Sequence, residues 1–553
     1  MKKLATTILA LTVLILFTFP SVSTGAPKYG GTFITGEAAD LNNVDPHRGV
    51  TKIAGKAFSL VCENLVISER DGAPGPGLAE SWELSEGGKV WTFHLRRDVK
   101  WHNGKDFTAD DVKWNFERML DPKTGSPWRG RFAVIESMQV VDPHTIKFQL
   151  KRPSVGFPAT MYSAGSAQVP MVAPESVNAE GKITHPIGTG PFEFVEWKPK
   201  EHFKVKNNKN YRIEGLPYLD EIIVKIIPDE TVRLAALQSG DLDYTDNLGS
   251  YQVQNMAKNP PKGVVLNVDT FSSTLFLHFN AGKPPFNDVR VRQAVAYGID
   301  KKEIIESVYG EGAMVQNQPL VPASAWKVDV PDVERDVAKA KSLLKEAGHP
   351  QGLDVTLSTA TDYWQYMVAV QVVQEQLKEV GINIIIDASD WPTYVGKCLK
   401  GAFVMGLAGW PMDYDPVFTY APCFTPNGAY SFLTAKAYDN PELTELLQQA
   451  DAAVIAADRK KFFADAVKII VDDAPWVYLG VGPAPTAQGS YVKDLQPHIS
   501  GFYVAPKSGF QYIWLDKQQP GKDAGFIQVL SALIRNYSNI LAVLFFLTRT
   551  LSV

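Results

Sequence analysis

Of the 553 residues, 45% are hydrophobic, 21% charged and 11% aromatic, a globular composition that excludes a mainly disordered or fibrous chain. The length exceeds what one ordinary core organises, so two or three lobes with separate interiors are expected. A formal net charge of −5 provides no basic field to gather phosphates, which argues against nucleic acid as the main partner.

Met1-Lys2-Lys3, the apolar run from Leu4 to Phe19 and the small residues up to Ala26 form the three parts of a secretory signal peptide. Cleavage is expected after Ala26, with an uncleaved membrane anchor as the alternative, and no cysteine follows to signal a lipid anchor. Gly30 to Thr35 has strand character, and a helical stretch runs through Ala57 to Val66. Trp82-Glu83-Leu84 and Val90 to Leu95 alternate apolar and polar residues around Gly87-Gly88, the pattern of a hairpin. In Trp101-His102-Asn103-Gly104 the Asn-Gly pair suits a turn with positive φ and the tryptophan a core position. Thr108 stands as an N-cap before Asp110 and Asp111, with Val112, Phe116 and Met119 at helical spacing.

Gly188-Thr189-Gly190-Pro191 is glycine-rich but has no following lysine, so it reads as a hinge or tight loop rather than a phosphate cradle. Strands are expected at Ile222 to Ile227, Leu275 to Phe279, Leu353 to Leu357 and, buried, Ile382 to Ile386. Helices are expected at Thr231 to Leu237, Val289 to Tyr297, Val337 to Leu344 and Val368 to Val380, three of them followed within a few residues by Gly240, Gly348 or Gly381. This alternation indicates α/β lobes. After Asp516 a polar break precedes Phe526 to Val553, whose apolar core Ile540 to Leu547 is shorter than the roughly 20 residues of a spanning helix, so an amphipathic or loosely ordered extension is expected.

Cys62, Cys398 and Cys423 show no CxxC or Cys/His spacing, so no metal site is indicated, and no cofactor motif is present. Cys398 and Cys423 read as half-buried thiols with a disulfide as the alternative, and Cys62 reads as a core residue. No Gly-x-Ser-x-Gly elbow, His-Glu-x-x-His or convincing Ser/His/Asp arrangement is found, so no catalytic residue is assigned and a secreted hydrolase is the remote alternative.

Leu78-Ala79-Glu80-Ser81-Trp82, Trp91 to Arg96, Val99 to Gly104, Phe107 to Val112, Ile187 to Phe192, Asn207 to Tyr211, Phe286 to Ala294 and Trp410 to Pro416 together resemble bacterial extracellular solute-binding protein family 5. The resemblance covers roughly residues 28 to 516. It implies a non-enzymatic, periplasmic substrate-binding component of an ABC importer, a monomer that captures a small peptide or peptide-like solute and delivers it to a permease and ATPase complex in the inner membrane. Receptors for nickel chelates, oligosaccharides or other solutes are the alternative within the same family.

The implied fold is α/β, a two-lobed periplasmic binding protein of class II, cluster C type, with a subdomain inserted in the first lobe. After the signal peptide at 1–26, lobe I takes 27–47, 185–272 and 480–516, the inserted subdomain 48–184 and lobe II 273–479, leaving 517–553 as a C-terminal extension. Family resemblance also points to ligand contacts. Asp413 would pair with a ligand ammonium, because a carboxylate closed off from water is costly unless paired. Trp391 and Trp410 would line side-chain pockets, and Glu37 and Tyr478 fall where the family contacts ligand backbone. Asp415 reads as a helix cap ahead of Pro416. Dipeptide-specific relatives carry an arginine where this chain has Thr361-Asp362-Tyr363-Trp364, and Tyr363 and Trp364 would instead contact an apolar or sugar-like portion.

Overall fold

A computed structural model describes residues 26–517 apart from 42, 50–51, 70–72, 163–168, 269–272, 311, 321–323, 411–413, 427, 429, 497–503 and 506–507. The expected signal peptide up to residue 25 and the tail from residue 518 lie outside the described residues.

Two large sheets dominate. The first has seven strands in the order Val264–Asn267, Thr486–Gly489, Tyr244–Thr245, Thr32–Glu37, Glu221–Ile226, His202–Asn207 and Phe192–Lys198. Thr32–Glu37 runs parallel to both Glu221–Ile226 and Tyr244–Thr245. Phe33, Phe203, Ile222 and Val224 pack against Ile53, Ala57, Phe58 and Val61 of the helix Lys52–Val61. That helix stops five residues short of the expected Val66. The carbonyl of Val61 accepts from Gly190 N–H at 2.9 Å, and Leu65 turns its carbonyl to Ala79 N–H at 3.0 Å, so the chain leaves helical hydrogen bonding there. An added Cβ at Gly188 would fall 1.8 Å from the same Val61 oxygen, which explains the glycine-rich loop as a close backbone approach.

A four-stranded sheet, ordered Ala79–Ser85, Val90–Leu95, Thr145–Leu150 and Ile135–Asp142, carries the expected hairpin at its edge. Its turn places Glu86, Gly87 and Gly88 at positive φ. Edge-on aromatic pairs fill the core, with Phe116 centred 4.9 Å from Phe132 and 5.0 Å from Phe148. Trp101 is buried against Phe107, Gly104 sits at φ +85°, and Asp111 accepts from Thr108 N–H at 2.8 Å, as the turn and cap patterns predict. This unit is fastened to the seven-stranded sheet's unit by Arg118, which forks onto the Asp45 carboxylate at 2.6 and 3.0 Å, and by Glu63, which accepts from Arg212.

The third sheet has six strands in the order Met314–Val315, Trp476–Val481, Thr274–Phe279, Met405–Trp410, Leu353–Ala360 and Ile382–Ser389. Every residue of Thr274–Phe279 and Trp476–Val481 is buried, as expected of central strands covered on both faces. Ile382–Ser389 differs from the expected buried strand. It is the sheet's edge, and Ile385, in the middle of the apolar run, is 52% exposed. Cys62 is a core residue as expected, whereas Cys398 and Cys423 are fully buried rather than half-buried, and no disulfide joins them. Lys28 Nζ meets Asp516 at 2.6 Å, holding the two ends of the described chain together.

Two histidines are locked into these cores. His278 lies in a central strand between the carbonyl of Leu433 at 2.8 Å and the hydroxyl of Tyr394 at 2.6 Å, and burial lowers its pKa to about 4. Burial and then the Arg118 guanidinium lower that of His47 to about 4 as well. Below the ordinary histidine value the unfolded chain takes up these protons first, so stability is lost as pH falls from about 6.5 toward 4 and is flat above that window. Each histidine is expected to contribute a slope of about 1.4 kcal/mol per pH unit within it. Urea unfolding at stepped pH checks this, and His278→Asn should remove about half of the combined slope.

Candidate functional site

In open α/β sheets ligands bind beyond the carboxyl ends of the parallel strands, because the connecting loops gather there. The six-stranded sheet has three such ends. Leu353–Ala360 runs parallel to Ile382–Ser389 and to Met405–Trp410, so Ala360, Ser389 and Trp410 share one edge. In the seven-stranded sheet the corresponding edge carries Glu37, Ile226 and Thr245. Both passages between the sheets join these edges. Asn267 pairs with Thr486 on one sheet, while Thr274 pairs with Trp410 and Leu275 with Gly480 on the other. The crossing after Asn267 and the crossing before Thr486 therefore leave from neighbouring strands of one sheet and reach neighbouring strands of the other, at the carboxyl edge of each.

Aromatic side chains gather on the six-stranded side. Trp364 is the first residue of the helix Trp364–Val380, four residues earlier than the expected start, and Trp391 is the first of Trp391–Leu399. The second helix is fixed by two carboxylates. Asp390 caps it through Thr393 N–H at 2.8 Å, and Asp362 accepts from Trp391 N–H at 2.5 Å. Accepting from Thr393 keeps the Asp390 carboxyl below the usual range. Tyr363 thereby stands edge-on to Trp391 with ring centroids 5.4 Å apart, flanked by Tyr366 at 4.9 Å, while Trp364 faces Tyr309 at 6.2 Å. An added Cβ at Gly249, on the opposite unit, would lie 3.8 Å from the Trp364 ring. The indole N–H of Trp364 and the hydroxyl of Thr274 are buried without a hydrogen-bond partner among the described residues.

Charge gathers on the seven-stranded side. Glu37 is buried and accepts from Lys56 Nζ at 2.7 Å, and Asp246 is the second partner of the same ammonium. Burial opposes the ammonium, but Asp246 and then Glu37 outweigh it and lift the Lys56 pKa above the ordinary lysine range. On the same edge the buried Arg233 guanidinium donates to Thr245 Oγ1 at 3.1 Å and to the Ile227 carbonyl at 2.8 Å, so two cationic and two anionic groups are gathered there. The sequence carries a faint signal of Lys56. It is the one charged residue between Ile53 and Val61, on the face shared with buried Ile53 and Leu60.

Tyr363, Trp364 and Trp391 are thus brought together, and Glu37 stands on the facing edge. Tyr478 lies deeper, packed between Phe276 and Trp476 in the six-stranded core, with its hydroxyl unpartnered among the described residues. Trp410 ends its strand in register with Thr274, and Asp413 lies outside the described residues. Asp415, expected as a cap, is buried and holds the Arg459 guanidinium at 2.9 Å, and Pro416 takes the N-cap position of Val417–Phe424.

The sequence pattern of bacterial extracellular solute-binding proteins, family 5 Middle, matches residues 73–431. Heme-binding protein A of Haemophilus influenzae is 31% identical over 473 residues, covering 78% of this chain and 82% of that protein. Glutathione-binding protein GsiB of Pectobacterium atrosepticum is 29% identical over 444 residues, covering 79% and 84%. Among solved structures, the ABC transporter-associated periplasmic binding protein DppA of Helicobacter pylori in complex with the peptide STSA superposes with a TM-score of 0.76 at 26% identity, over 88% of this chain and 99% of that one.

The buried triad makes an ordered prediction. Lys56→Met leaves two buried carboxylates uncompensated and is expected to cost about 3–5 kcal/mol, whereas Glu37→Gln leaves a one-to-one pair and costs clearly less. Urea unfolding midpoints of the two variants test the order.

Proposed function

This chain belongs to the bacterial extracellular solute-binding proteins of family 5, the substrate-binding components of ABC importers, and we propose that its own solute is a peptide or peptide-like molecule held between the two sheet edges. The observation that carries the reading is that two crossings between neighbouring strands join the carboxyl edges of the two sheets, with aromatic rings gathered at one edge and buried charged groups at the other. Tyr363, Trp364, Trp391 and Trp410 supply apolar and cation-attracting surface that makes few demands on side-chain identity. Asp413 takes the ligand ammonium, Glu37, held by Lys56, meets the ligand backbone, and Tyr478 backs the wall from the core beneath. The two crossovers between lobe I and lobe II serve as the hinge, and closure excludes water from the captured solute.

The N-terminal segment up to Ala26 supports export with cleavage, which gives a monomeric periplasmic protein serving a permease and its ATPase. The relatives' names span heme, glutathione and a four-residue peptide, so family membership leaves the solute open. Thr361-Asp362-Tyr363-Trp364 offers no arginine for a ligand carboxylate. That favours a longer, blocked or cationic peptide over a free dipeptide, and it is the observation on which a nickel chelate or an oligosaccharide would stand as the second reading.

A thermal-shift screen of the mature protein against di- to pentapeptides, nickel-histidine, oligosaccharides and cationic amines tests the assignment, because a solute that binds only the folded state raises the melting temperature. A lysine-containing peptide is expected to raise it by a few degrees at saturating concentration. Asp413→Asn should weaken that peptide about tenfold or more with little change in the ligand-free melting temperature. A shift with sugars or chelates alone removes the peptide assignment.

A further inference from the structure

The structure assigns to Asp451 a role in closing the cleft: it is the positioning residue that draws the four-stranded unit and the six-stranded unit together over the bound solute. Asp451 lies in the last turn of the helix Pro441–Ala452, in the six-stranded unit, and is 2% exposed. Its partners all come from the other side, from the segment that follows the strand Thr145–Leu150. Arg152 Nη1 donates to Oδ2 at 2.6 Å, Ser154 Oγ donates to Oδ1 at 2.8 Å, and Val155 N–H donates to the Asp451 carbonyl at 2.7 Å. A carboxylate so fully withdrawn from water is favourable only while those donors are in place.

Both ends of this contact are rigidly mounted. On the four-stranded side, Ser154 N–H donates to the Gly88 carbonyl at 3.1 Å, and its own carbonyl accepts from Trp91 Nε1 at 2.9 Å. That unit is in turn bound to the seven-stranded sheet's unit through Arg118–Asp45 and Arg212–Glu63. On the other side, Arg459 donates to the Ala450 carbonyl at 3.0 Å and grips Asp415, two residues beyond Asp413. The loop proposed to hold the ligand ammonium is thus braced to the helix end that carries Asp451. Rotation of the two units about the crossings after Asn267 and before Thr486 would separate Asp451 from Arg152, Ser154 and Val155 while leaving the bonds named within each unit intact.

The assignment rests on the reading of the cleft as one that opens and closes, but its test needs no solute, so its failure is separable from failure of the receptor reading. Ser154→Cys/Asp451→Cys protein, freed of co-purified solute by unfolding and refolding, is bridged with dibromobimane, which links thiols a few ångströms apart, and examined by small-angle X-ray scattering. Bridging is expected to reduce the radius of gyration by on the order of 1 Å from the open protein, against about 23 Å for a compact chain of this length. Failure to bridge, or bridged and unbridged proteins of equal radius, overturns the assignment, since the units then either never meet or never part. Should the double variant not fold, Arg152→Glu replaces it, at a side chain 50% exposed. Like charges at the contact should then expand the ligand-free protein by a similar amount, and an unchanged radius overturns the assignment.

Discussion

A chain that builds two sheets with separate interiors must pass between them, and each passage is a place where backbone hydrogen bonding stops. Here the outward strand Val264–Asn267 and the returning strand Thr486–Gly489 are hydrogen-bonded neighbours, as are Thr274–Phe279 and Trp476–Val481 on the far side. The two breaks are therefore adjacent, and bending at both can occur about one line without tearing either sheet. The same arrangement directs both carboxyl edges inward. Everything the site depends on, aromatic wall, buried triad and closing contact, follows from that one pairing of strands.

The polar interior is arranged around this division. Lys56 with Glu37 and Asp246, Arg118 with Asp45, and Arg459 with Asp415 each join segments distant in sequence but within one rigid body. Such pairs are expensive to break singly, and they keep each body fixed while the bodies move. Asp451 differs in that its partners belong to the other body. A buried carboxylate satisfied across a moving boundary acts on the balance between two arrangements rather than on the integrity of either.

Much of this was legible in the residues. The Gly87-Gly88 break, Thr108 ahead of Asp111, and Gly240 and Gly381 each mark a local conformation that few other residues adopt, and the hairpin and helices they predict are present. Trp391 was named from the family resemblance and Tyr363 and Trp364 from a departure from it, and their assembly follows from parallel strands ending at one edge. What escaped depends on partners far along the chain. Ile384-Ile385-Ile386 reads as doubly buried, but nothing within it tells that no strand lies beyond. The end of the helix at Val61 is set by Gly190, and the partner of Asp415 by Arg459. That Glu37, expected to contact a solute, also holds a lysine on the following helix is another such partnership.

The ion pair between Lys28 and Asp516 brings the two ends of the described chain to one patch of surface. A protein cut to residues 28–516 would be held by the same point at either end, at a bead, a sensor chip or a fused reporter, and would present the cleft in the same orientation. Between Lys28 and Asp516 the chain all but closes on itself, so a short linker joining these positions would let new ends be opened in an exposed loop elsewhere while the order of strands in the three large sheets is kept.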